Sequence, residues 1–269
     1  LRRVETTSFV NPRKVPQMAD AEEVSRQSGR FRDASFSVLA LNLRGVARAI
    51  AAGTREINYV FVASDTFSTR NNGAPTFETL RAWPEVHDVA RQHGLRLAVV
   101  ISAAFGCPFE GEVSQRRVLD IAESLGGRWP DELALADTIG VAVPRQVTSL
   151  FKAVGGVVDP SVALRAHFHD TRNTAIANAV AAYEVGVRVI DGALGGIGGC
   201  PFAPAAAGNV ATEDLVYCFE RMGVSTGVNL DAAIAAAHWV LEKLGKQGMG
   251  AVARAGGFPT GALAAPCAA

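Results

Sequence analysis

The strongest constraint on what this chain can fold into is the regular alternation of short β-rich runs with longer helical stretches. Strands are expected over residues 1–9, 36–42, 56–63, 95–102, 132–137, 163–169 and 187–193. Each run is short, apolar and bounded by polar or glycine-containing turns. Helices fit between them, over 43–52, 76–93, 111–125, 144–154 and 174–185, with two more, 212–222 and 231–244, after the last strand. Pro144 suits the first turn of a helix, and Gly53, Gly94 and Gly186 suit the turn that follows one. On the 174–185 helix, Ile176, Val180 and Tyr183 share one face.

Repeated strand–helix units imply parallel strands. Seven expected strands are one short of the eight in a TIM (β/α)8 barrel. The chain begins at Leu1 without a Met, and the first barrel strand is expected upstream and missing from this chain. An open, doubly wound sheet is the alternative α/β architecture. The 269 residues match one barrel of about 250, and no linker or composition break divides them. A single barrel domain over 1–269 is therefore expected, with an irregular Gly- and Ala-rich tail from about 245.

Composition narrows the function. Lys plus Arg and Asp plus Glu both number 26, and a net charge of zero argues against a nucleic-acid or polybasic membrane surface. A local cationic pocket stays open. No apolar run approaches the roughly 18 to 20 residues of a membrane span, and no signal-peptide pattern opens the chain. Cys107, Cys200, Cys218 and Cys267 form no CxxC pair, which fits a reducing compartment such as the cytoplasm.

The chemistry-bearing residues cluster at expected strand ends. His167 and His169 lie two apart on one strand, so both imidazoles project from one face. In a barrel, that C-terminal end builds active sites. Neutral imidazoles suit Zn, Fe, Mn or Ni, and added oxygen ligands shift the preference toward Mg or Mn. The plainer reading is two half-buried histidines. The run Gly195-Gly196-Ile197-Gly198-Gly199-Cys200-Pro201 follows the last strand. Its glycines permit loop movement and close backbone approach, and Cys200 could serve as nucleophile, acid or redox centre, or be a small apolar residue. Asn209 precedes a helix and could offer a carbonyl oxygen to a metal. Thr212 reads as that helix's N-cap, with Glu213 and Asp214 as ordinary first-turn acids. Glu5 and Asp137 are carboxylates on apolar strands, each readable as a site group or as a turn or surface acid. Cys107 reads as structural, Cys218 as core and Cys267 as exposed. His87, His93 and His238 lie on helices without evident partners.

Taken together, these segments resemble the 3-hydroxy-3-methylglutaryl-CoA lyase family of TIM-barrel, metal-dependent acyl-CoA lyases. The matching stretches are Glu5 to Val10, Val15 to Met18, Phe105 to Gly111, Asp137 to Gly140, His167 to Thr171, Gly198 to Phe202 and Gly208 to Tyr217. The glycine–cysteine loop and the Gly208–Tyr217 segment are specific to the lyases, whereas the His-x-His pair is shared with related synthases. The resemblance implies retro-Claisen cleavage of HMG-CoA to acetoacetate and acetyl-CoA, and with it a place in leucine catabolism and ketone-body metabolism. It implies His167, His169 and Asn209 as ligands of a divalent metal, Mg or Mn. It also implies Cys200 as a proton-handling thiol of a mobile loop, with Glu5 and Asp137 as active-site acids.

Two departures stand out. The family's first strand, with an Arg–Asp pair, is absent here. Arg172-Asn173 stands where the better-known lyases have Tyr-Gly, which makes Arg172 a substrate-tuning candidate: it would bind a second carboxylate or face solvent. The expected partner is therefore an acyl-CoA substrate, with no nucleic acid and no membrane, and the chain is compatible with a homo-oligomer. The residues that bind CoA stay unassigned. The alternatives are a lyase for another branched 3-hydroxyacyl-CoA of the citramalyl type, an isopropylmalate-type condensing synthase, and a catalytically silent binding barrel.

Overall fold

Seven parallel strands follow one another in chain order across one sheet. The computed structural model describes residues 1–199 and 208–259. Strand β1 is Arg3–Ser8, β2 Ser35–Ala40, β3 Glu56–Val62 and β4 Arg96–Ser102. Strand β5 is Glu132–Asp137, β6 Ala163–Phe168 and β7 Val189–Asp191. Every neighbouring pair is parallel. A doubly wound sheet reverses its strand order at a switch point. This sheet never reverses, and strictly sequential order with helical crossovers is the arrangement of the TIM barrel. Seven of the barrel's eight strands are present among the described residues, as the strand count predicts.

Strands β3 and β5 are buried at every residue. A parallel sheet covered on both faces demands this, because neither face of a strand meets water. Ile57 and Phe61 of β3, Leu97 and Ile101 of β4 and Leu135 of β5 are fully buried in the core, and Trp83 packs on Tyr59 and Phe61. The chain clusters into two compact units. The first, Leu1–Asp191, carries the whole sheet. The second combines Gly192–Gly198 with the chain from Gly208, and contains the helices Thr212–Arg221, Leu230–Leu244 and Ala251–Ala255. The last of these lies within the stretch expected to be irregular.

Several boundaries differ from expectation for identifiable reasons. The expected 76–93 helix is two helices, Thr76–Leu80 and Trp83–Gln92. Pro84 lacks the N–H that a continuous helix would direct back to Leu80, so a new helix starts there. The expected 111–125 helix begins only at Gln115, where the Ser114 hydroxyl accepts from the Arg117 N–H at 3.2 Å. Ahead of it, Cys107 and Gly111 exchange backbone hydrogen bonds of 2.8 and 3.0 Å, which no helix allows. Helix Ala21–Ser28 was not anticipated, since it buries only Ala21 and shows no apolar stripe. On Ala175–Glu184 the buried face is Ala175, Asn178, Ala179 and Ala182, while Ile176, Val180 and Tyr183 are only half-buried. Small residues permit close approach, so here size rather than hydropathy picks the inner face.

Candidate active site

In the first unit the site is built at the end of β6. The rings of His167 and His169 lie 5.3 Å apart at their centroids, on one side of the extended chain. The His169 N–H donates to the Asp137 carbonyl at 3.2 Å, continuing the β5–β6 ladder past the last strand residue. Gly140 fixes how close the next loop comes. A Cβ there would stand 2.8 Å from the His169 carbonyl oxygen, and its φ of 60° is one that side chains avoid.

His167 is opposite Asp191 in the β6–β7 register, and its Nδ1 is 3.1 Å from Asp191 Oδ2. Burial alone would raise the Asp191 pKa, but the Arg165 cation and the His167 hydrogen bond outweigh it and hold the carboxyl below its usual range. His169 is only 5% exposed. Burial first, and then the neighbouring His167, push its pKa down to about 3. It is therefore a neutral imidazole at pH 7, and its Nδ1 is buried with no hydrogen-bond partner.

The two carboxylates have different surroundings. Glu5, on β1, accepts from Asn58 Nδ2 and is open to solvent. Asp137 is fully buried at the end of β5. Its Oδ1 accepts from the Val141 N–H and its Oδ2 from the Ala142 N–H, both at 2.9 Å. Burial raises its pKa, and the two N–H groups oppose that rise. Asp137 thus folds the loop that follows it. Arg172 holds the same loop: exposed itself, it donates Nη1 to the carbonyls of Ile139 and Gly140 at 2.8 and 3.1 Å.

In the second unit, Asn209 donates Nδ2 to the Ile197 carbonyl at 3.0 Å, and its Oδ1 is buried without a partner. Gly198 makes this possible. Its φ is 96°, and a Cβ would sit 2.5 Å from Asn209 Nδ2. Gly198→Ala is therefore expected to destabilise the chain by about 1–2 kcal/mol and to displace the Asn209 amide. Urea unfolding and the Asn209 side-chain amide resonance would report both, and an unchanged midpoint would contradict this account. Cys200 and Cys267 lie outside the described residues.

Sequence reasoning undervalued Glu213. Ala211, not Thr212, occupies the N-cap position, without a side-chain cap bond, and Thr212 is the first helical residue. Glu213 is fully buried, and both of its oxygens lie 3.1 Å from the Gly195 N–H. Asp214 accepts from the Ala251 and Val252 N–H groups. These two acids fix loop and tail backbone rather than merely complementing a helix dipole. The burial of Glu213 comes from the tertiary structure, and no local sequence pattern distinguishes it from an ordinary first-turn acid. Cys107 is buried and accepts from the Ser64 hydroxyl at 2.9 Å, as a structural cysteine does. Cys218 is half-buried rather than core. His87 pairs with Asp88 at 3.1 Å, and His238 Nε2 meets the Ala253 carbonyl at 2.8 Å, so both have partners.

Whether these residues suit a divalent cation can be tested on their unsatisfied atoms. Buried polar atoms without partners are rare in folded proteins. Four side-chain atoms among the described residues are in that state: Arg165 Nε, Asn178 Oδ1, and the two metal-suited donors His169 Nδ1 and Asn209 Oδ1. Both are neutral donors of types that divalent cations accept. No group of three His, Cys, Asp or Glu side chains is assembled for a metal among the described residues. Each donor, taken by itself, fits a cation in kind.

Comparison with known proteins extends this geometry. The HMGL-like family model matches residues 4–240. An (R)-citramalyl-CoA lyase of Chloroflexus aurantiacus is 45% identical, covering 94% of this chain and 83% of its own. A hydroxymethylglutaryl-CoA lyase of Bacillus subtilis is 39% identical over 91% of this chain and 82% of its own. Among solved structures, an HMG-CoA lyase from Acinetobacter baumannii in complex with coenzyme A and 3-methylmalate superposes with a TM-score of 0.91 at 37% identity. That match covers 97% of this chain and 85% of the other. Barrel topology and relatives together define a carbon–carbon lyase on a TIM-barrel frame. Within that class, the chain belongs to the HMGL-like family.

Proposed function

We propose that this chain cleaves a 3-hydroxyacyl-CoA bearing a tertiary hydroxyl and a free carboxylate, releasing acetyl-CoA and a keto acid. The observation that carries the reading is the His167–His169 pair, with one imidazole braced by a carboxylate and the other buried, neutral and unpartnered. His167, His169 and, on sequence grounds, Asn209 would hold a divalent cation, Mg or Mn. When bound, such a cation supplies Lewis acidity toward the substrate's oxygens.

The chain's own groups move the protons. The hydroxyl proton leaves to a base, for which Glu5 is the candidate carboxylate. The C2–C3 bond then breaks, C3 becomes a carbonyl, and the electron pair passes to C2 as the thioester enolate. The Cys200 thiol returns a proton to C2 and completes acetyl-CoA. Asp137, with both oxygens bonded to backbone, shapes the rim of the site instead of exchanging protons. Cys200→Ser is expected to keep the affinity for Mn2+ and lower turnover about a hundred-fold. Full activity in that variant would remove the cysteine from proton transfer.

Two substrates of this class differ by one methylene. HMG-CoA gives acetoacetate, and citramalyl-CoA gives pyruvate. The 45% identity to an (R)-citramalyl-CoA lyase, against 39% to the Bacillus enzyme, favours the shorter substrate. So does 3-methylmalate, a compact hydroxy diacid, in the complex of the Acinetobacter enzyme. No helix among the described residues is long and apolar enough to cross a membrane, and the cytoplasm is the compartment we propose. The test is to supply each acyl-CoA with Mg2+ or Mn2+, using a chelator as control, and to measure pyruvate and acetoacetate. Chelator-sensitive pyruvate release is the expected result. Acetoacetate alone would move the assignment to HMG-CoA, and release of neither would refute the proposed class of substrate.

A further inference from the structure

A single buried guanidinium supports two groups of the proposed site. Arg165 lies on β6 two residues before His167, so its side chain leaves the same face of the strand. It is only 4% exposed, and each of its nitrogens faces a different group. Nη1 is 2.8 Å from Glu132 Oε1 on β5. Nη2 donates to Asn58 Oδ1 on β3 at 3.1 Å. Nε stands 3.5 Å from Asp191 Oδ2 on β7, close enough for ion pairing but too far for a good hydrogen bond.

Two branches lead from this centre. Asp191 Oδ2, held by the cation, is also the partner of His167 Nδ1. A carboxylate only accepts, so Nδ1 must carry the proton and the lone pair is left on Nε2. On the other branch, Asn58 receives the guanidinium at Oδ1, and its Nδ2 donates to Glu5 and to Ser37 Oγ. The amide has only one good orientation there. Reversed, it would set its NH2 against Arg165 and its carbonyl against the Glu5 carboxylate.

We infer that Arg165 is a positioning residue that sets the tautomer of His167 through Asp191 and the orientation of Glu5 through Asn58. What those two groups then do rests on the function proposed above. Arg165→Lys keeps the charge but not the planar fork that reaches three strands at once. The first readout needs no metal and no substrate. Long-range 1H–15N spectra of the metal-free chain should show His167 as the Nδ1–H tautomer, and both Arg165→Lys and Asp191→Asn should lose that preference. In the loaded enzyme, Arg165→Lys should weaken Mn2+ binding and lower kcat by about ten-fold each. KM should move much less. The double variant with Asp191→Asn should bind Mn2+ no more weakly than Asp191→Asn alone, since both act through one contact.

A folded Arg165→Lys variant with the wild-type tautomer and Mn2+ affinity would overturn the inference, as would additive losses in the double variant. If Arg165→Lys does not fold, the unmodified chain still decides, because an Nε2–H tautomer at His167 is incompatible with the role. The two proposals separate cleanly. Absence of turnover and of Mn2+ binding, with the tautomer responding to Arg165→Lys as expected, would refute the lyase reading and leave the positioning role standing.

Discussion

Replacing His167 with alanine is expected to lower turnover on the order of a thousand-fold and to weaken Mn2+ binding in parallel. The imidazole is the one side chain at the end of β6 that has both a bracing carboxylate and a second nitrogen free to bind. Alanine removes the proposed ligand and leaves Asp191 with only the Arg165 cation 3.5 Å away. His169 lies 5.3 Å off at its centroid and cannot substitute, since one imidazole alone would replace a pair. Electron paramagnetic titration of Mn2+ and steady-state turnover are the measurements, with the exposed His93→Ala as a control that should change neither. If His167→Ala retains more than a tenth of the activity, the site lies elsewhere.

Glu132→Ala is expected to destabilise the fold by about 3–5 kcal/mol. Glu132 is completely buried, at the start of β5. Arg3 and Arg165 each approach it to 2.8 Å and Arg96 to 3.1 Å. Removing this anion leaves the buried Arg165 with only Asn58 and a distant Asp191, a loss that water cannot repair at 4% exposure. Against a typical stability of about 5–15 kcal/mol, the loss would be visible in any denaturant titration. Glu132→Gln should lose less, because its amide keeps the shape and one acceptor. A loss below about 1 kcal/mol for Glu132→Ala would mean that Glu56, which also faces Arg3, takes over the cationic cluster.

The arrangement of this fold was legible because its strands are buried on both faces. Strands β3 and β5 are apolar over Tyr59–Val62 and Leu133–Ala136, with polar residues only toward their ends, and the expected bounds of β5 match Glu132–Asp137. Helix ends with a chemical marker were equally plain, such as Pro144 opening Pro144–Gly155. Where the marker was misread, the boundary moved, as Pro84 shows by dividing one expected helix into two. Ala21–Ser28 is polar apart from Ala21 and Val24 and buries only Ala21, so no apolar run marks it in the sequence.

For the site, the sequence alone determined which residue types share a strand face, because a period of two is a property of the extended backbone. His167 and His169 follow from that spacing without any tertiary information. It did not determine what each side chain would meet. Asp191 opposite His167, Asn58 beneath Glu5, and Arg165 between them come from strands separated by up to 107 residues in sequence. Glu213 on the Gly195 N–H, and Asp137 folded back on its own loop, were likewise decided by burial. Local spacing fixes the direction of a side chain. Only the packed sheet brings distant charges within hydrogen-bond reach, and the cost of leaving a buried charge unpaired then selects the partners.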